Sequence, residues 1–168
     1  MRARSVSLLL ILIAVLLQTT LFATGGIRPF QVAPDLVMVV TIVAARWLDD
    51  DAALLVGFTG GVLIDLLVSS LLGWRALTIT LVAYMAVRAR SRFDLGLMSG
   101  SLVVLMLSFA GVVLLAVIGT LFGESSFRDP NVFRKILLIP GYNLLMSILV
   151  FPLTTLVLVG RRRKERLL

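Results

Sequence analysis

Asp65 stands inside an almost wholly apolar run, GFTGGVLIDLLVSSLLGWRAL at residues 57–77, and Arg75 follows in the same run. A second carboxylate, Asp35, follows Pro34 where another apolar run begins. Asp49, Asp50 and Asp51 stand together between two such runs. An ionised aspartate facing lipid costs at least about 2.5–3.5 kcal/mol, so a carboxylate in such a run needs a partner. Three chemistries suit it: a proton relay or cation site, an ion pair that fixes helix packing, or recognition of a partner protein. The chain has no His and no Cys. That removes imidazole acid–base catalysis, thiolate nucleophiles, zinc sites of the usual kind and disulfides. A relay needs a series of titratable groups, and the apolar runs hold neither His nor Glu, so the ion pair is the favoured reading. Asp49–Asp51 could hold Mg²⁺ with the phosphates of a lipid-linked substrate. Capping of the helix that follows is the simpler role, because acidic side chains suit a helix N-terminus. No set of residues reads as catalytic, and no cofactor or metal is expected.

The elements that must position these groups are membrane helices. Of 168 residues, 60% are hydrophobic and 15% charged, against about 25% charged in soluble domains. The mean hydropathy is +1.08, so the bilayer is the expected solvent. The fold class expected is an all-α integral membrane protein, a single transmembrane domain over 1–168. Six hydrophobic segments cover residues 5–23, 35–48, 52–72, 74–89, 95–122 and 133–160. A span needs about 20 apolar residues, and the second and fourth fall short, so five spans plus a re-entrant piece is the alternative. With both ends cytoplasmic, eleven of the 16 Lys and Arg lie inside, including the RRRKER tail, and five lie outside. That bias predicts an even number of spans with both termini cytoplasmic. The basic start followed by an apolar stretch is read as an uncleaved anchor rather than a signal peptide. The tail is read as a topology signal that touches anionic lipid, not nucleic acid.

Helical spacing puts Gly57, Gly61 and Asp65 on one face, a small-residue strip against which another helix can pack closely. Gly73 allows a tight turn that carries Arg75 back beside Asp65. Asp35 falls at a similar depth, so Asp35, Asp65 and Arg75 form an expected charged cluster near the outer surface. Gln18, Tyr84, Asn143 and Ser147 are the other polar membrane residues, the last two one turn apart and able to bond across helices. Pro140 and Pro152 are expected to kink or locally break the last span. Gly100, Ser101, Ser108, Gly111 and Gly119 are small packing residues, and Phe30, Trp47 and Trp74 suit interfacial belts.

The pattern APDLV followed by GFTGGVLIDLLVSSLLGWRALTITLVAY resembles the family of the rod shape-determining protein MreD. The match rests on Pro34, Asp35, Gly57, Gly61, Asp65, Leu72, Gly73, Ala76, Leu77 and Tyr84. The resemblance implies a non-enzymatic subunit of the bacterial cell-elongation machinery in the cytoplasmic (inner) membrane. Its implied partner is the single-span protein MreC. Through MreC it would connect MreB filaments to the glycosyltransferase RodA and a class B penicillin-binding transpeptidase in peptidoglycan synthesis and cell-shape control. The implied fold is like the substrate-binding subunits of energy-coupling-factor transporters. On that reading Gly57, Gly61, Gly73, Tyr84 and Asn143 serve helix packing or partner contact. A small-molecule-binding subunit of such a transporter is the alternative. It needs several polar groups lining a cleft, and the chain offers few.

Overall fold

The computed structural model describes residues 2–22, 26, 29–68, 72–90, 97–123 and 130–165. Six α-helices are present among them: α1 (Arg2–Leu21), α2 (Leu36–Ala44), α3 (Asp50–Leu67), α4 (Trp74–Arg90), α5 (Leu97–Leu121) and α6 (Val132–Glu165). A short 3₁₀ turn, Pro29–Gln31, precedes α2. No strand occurs among the described residues. Two stretches, Met98–Leu121 and Val132–Val157, are long and apolar enough to cross a bilayer, and Ser5–Leu21 is a shorter apolar helix.

The organising element is α2. Its sequence LVMVVTIVA is apolar all round, the pattern of a helix enclosed by protein. Every residue from Val37 to Ala44 is buried, and α2 touches each of the other five helices. Its nine residues rise about 14 Å, roughly half the hydrocarbon thickness. Regular helix stops at Ala44, short of the 35–48 span expected from hydropathy. Tight turns, Arg46 N–H to the Val43 carbonyl and Trp47 N–H to that of Ala44, then carry the hydrogen-bond ladder to Leu48.

α3 and α4 form the most intimate helix pair, and glycine sets their approach. A Cβ at Gly61 would lie 2.3 Å from Ala76 Cα, and one at Gly57 would lie 3.0 Å from Ala83 Cβ. Gly60, on another face of α3, fits beneath Val37 of α2 and Ile11 of α1. Gly111 of α5 makes room for Met38, and Gly100 for the ring of Phe151 on α6. α6 runs unbroken through Pro140 and Pro152, so of the expected kink or local break the break does not occur. α3 ends at Leu67, earlier than the expected 72, because the chain leaves helical geometry at Val68 (φ −106°, ψ 121°). Large apolar side chains cover the outside. Leu9, Leu12 and Leu16 on α1, Met106 and Phe109 on α5, and Leu145, Leu149 and Leu156 on α6 are all exposed. An outward surface of that kind suits lipid.

Candidate functional site

Two polar nodes lie inside the helix assembly, each at the start of a helix. The first four N–H groups of a helix have no partner within it. In an apolar setting each costs about 1–3 kcal/mol if left unsatisfied.

The first node serves α4. Asp65, only 3% exposed, is in the last turn of α3. Its Oδ2 accepts the N–H groups of Gly73 at 2.9 Å, Arg75 at 3.1 Å and Ala76 at 3.2 Å. Oδ1 also accepts the Arg75 N–H, at 3.3 Å. Gly73 makes this turn with φ +94°, a conformation that costs glycine nothing. A carboxylate near the C-terminus of its own helix is disfavoured by roughly 0.3–1 kcal/mol. Hydrogen bonds to a charged acceptor contribute about 1.5–3 kcal/mol each, so the caps outweigh the dipole. The expected Asp65–Arg75 ion pair is therefore replaced by a backbone contact. Arg75 offers its main-chain N–H, and its Nε is buried with no hydrogen-bond partner. The side-chain hydroxyl of Thr78 and the indole of Trp74 complete this end of α4. Thr78 donates to the Trp74 carbonyl at 3.0 Å, and Trp74 Nε1 donates to the Leu115 carbonyl of α5 at 2.8 Å.

The second node serves α2. Asp35 is its N-cap, and Oδ1 accepts the Met38 N–H at 3.0 Å. The Val37 N–H reaches Gln18 Oε1 of α1 at 3.0 Å. Asp35's own N–H donates to Asn143 Oδ1 of α6 at 2.8 Å, and Asn143 Nδ2 donates to Ser108 Oγ of α5 at 3.0 Å. Asn143 and Ser108 are both fully buried. Four helices thus meet at the start of α2 through Gln18, Asp35, Ser108 and Asn143.

Asp35 therefore does not join Asp65 and Arg75; the predicted three-residue cluster divides into these two nodes. Ser147 bonds within its own helix, to the Leu144 carbonyl at 2.6 Å, rather than across to a neighbour. Gly57 and Gly61 are buried beneath α4, whereas Tyr84 is 46% exposed on α4's outer side. The Tyr84 hydroxyl accepts from Arg88 Nε at 3.2 Å, and the guanidinium lies 5.1 Å from the Tyr84 ring centroid.

A third polar contact closes the opposite end of α2, and it was not legible in the sequence. Arg90, at the end of α4, donates from Nη1 to the Ala45 and Leu48 carbonyls. Its Nη2 pairs with Asp50 at the start of α3. Arginine is suited to this, with five donors fixed in one plane. The only hint was an arginine closing one helix and an acidic run opening another. Asp49 occupies the N-cap position of α3 without a side-chain capping bond. Among the described residues no three acidic side chains converge as for a metal ion.

Both nodes and the Arg90 contact serve helix ends. A model of the family of the rod shape-determining protein MreD matches residues 2–158 of the 168-residue chain. No curated protein and no solved structure gives a significant match. With nearly its whole length covered by that model, an all-helical fold and an apolar exterior, the chain belongs to the MreD family of rod shape-determining membrane proteins.

Proposed function

We propose that this chain is a non-enzymatic scaffold subunit of the bacterial cell-elongation complex. On this reading it binds MreC within the cytoplasmic membrane, and through MreC helps couple MreB filaments to RodA and a class B penicillin-binding transpeptidase. Family membership over residues 2–158 carries the reading. The use of the interior polar groups supports it, since Gln18, Asp35, Asp65, Ser108 and Asn143 all serve helix ends or one another. Both termini are cytoplasmic in this proposal. α2 and its following turn form a short crossing enclosed by the other helices.

The partner surface is the outward one. Gly57 and Gly61 already hold α4 and leave no room for a second helix there, so their role is internal packing. Of the candidate set, Tyr84 and the turn residue Gly73 are exposed, and Tyr84 is the one with a side chain to offer a partner helix. Gentle detergent extraction of the tagged protein from its host membrane, followed by intact-complex mass spectrometry, tests the proposal. It predicts a stoichiometric single-span partner with a periplasmic domain. A small molecule bound one-to-one, with ATPase subunits alongside, would instead establish a transporter subunit.

A further inference from the structure

Arg75 stands at the start of α4, beside the Asp65 node. Its Nε is buried and makes no hydrogen bond, and no hydrogen bond or ion pair joins the side chain to any described residue. Asp65, the carboxylate that meets the Arg75 main chain, is engaged by the N–H groups of Gly73, Arg75 and Ala76. A guanidinium carries five N–H donors and stays charged at any physiological pH. In an apolar protein such a group requires an anionic acceptor, and planar bidentate donors fit phosphate oxygens well.

The surroundings indicate where that acceptor comes from. Leu66 and Leu67 directly follow Asp65, and Leu72 directly precedes Gly73; all three are exposed. The Asp65 caps hold the end of α3 against the start of α4, so the cation and these leucines flank one joint. A diacyl phospholipid matches both features: phosphate for the guanidinium, acyl chain for the leucines. A soluble anion matches only the first.

We propose that Arg75 holds the phosphate of a bilayer phospholipid whose acyl chains lie against Leu66, Leu67 and Leu72. The site is independent of the scaffold reading, since it involves lipid and not a protein partner.

Native mass spectrometry of the full-length protein released from vesicles of phosphatidylglycerol and phosphatidylcholine tests this. The wild type should retain one phospholipid through delipidating detergent. In Arg75→Gln that retention should fall about tenfold or more, while Arg75→Lys keeps part of it and Arg88→Gln leaves it unchanged. Equal retention by the wild type and Arg75→Gln would overturn the proposal. If Arg75→Gln does not fold, Arg75→Lys is compared with the wild type in its place, and equal retention by those two would overturn the proposal. Phospholipid should outcompete a phosphate-free diacylglycerol of the same chains. Equal retention of the two lipids would overturn the site, and displacement of the lipid by millimolar inorganic phosphate would overturn the assignment to a lipid. A protein carboxylate crosslinked to Arg75 in place of lipid would overturn it as well.

Discussion

Removing the Asp65 carboxylate leaves the amides of Gly73, Arg75 and Ala76 without their acceptor at a buried helix start. Loss of an N-cap costs about 0.5–2 kcal/mol, and three amides served by one charged group place Asp65→Ala at or above the top of that range. Asp65→Asn keeps one acceptor oxygen and should fall between. Thermal unfolding in detergent, followed by size-exclusion chromatography, reads the order. Arg75→Ala retains the main-chain N–H, so in a double-mutant cycle Asp65→Ala should cost the same in either background, to within about 0.5 kcal/mol. Strong coupling would restore the side-chain ion pair. At the other node, Asn143→Leu strips the acceptor from the Asp35 N–H and the donor from Ser108. It should cost about 1–3 kcal/mol and make Ser108→Ala nearly silent. Residue type alone could mark Asp65 and Asn143 as needing partners. It could not name them, because the partners are mainly backbone N–H groups whose availability depends on where helices begin.

At the scale of the elements, the α3–α4 joint is governed by van der Waals distance. A methyl group at Gly61 meets the backbone of Ala76 at 2.3 Å and of Arg75 at 2.8 Å, and neither can rotate away. At Gly57 the tightest contacts are 3.0–3.2 Å. Gly61→Ala should therefore separate the two helices and abolish monodisperse protein, whereas Gly57→Ala should lower the melting temperature moderately. Gly141 of α6 has open space around its missing side chain. There Gly141→Ala should be stabilising, by up to about 1 kcal/mol, from helix propensity. The α2 clasp makes a further comparison. Arg90→Gln loses the Ala45, Leu48 and Asp50 contacts together, while Asp50→Asn loses only one pair that is largely exposed. Exposed pairs contribute about 0–1 kcal/mol, so Arg90→Gln should be the more damaging. The small-residue strip was visible in the spacing of Gly57, Gly61 and Asp65. The Arg90 clasp was not, because Arg90 lies 45 residues of chain from Ala45 and 40 from Asp50.

For the whole molecule, composition and periodicity were enough to indicate an all-helical chain with an apolar exterior. They did not distinguish α2 from its neighbours, since an enclosed helix and a lipid-facing one are both apolar. What separates them is burial: Val37–Ala44 are covered, while Leu12, Phe109 and Leu149 are open. The scaffold account assigns the interior to holding the fold and the exterior to partners and lipid. Photo-crosslinking in living host cells tests that division most directly, with a photoreactive residue placed in turn at outward Leu12, Tyr84, Phe109 and Leu149 and at inward Val39 and Val82. The account predicts a discrete adduct with MreC from at least one outward position and none from the inward pair. Protein adducts absent from every outward position, in cells that still make folded protein, would contradict it.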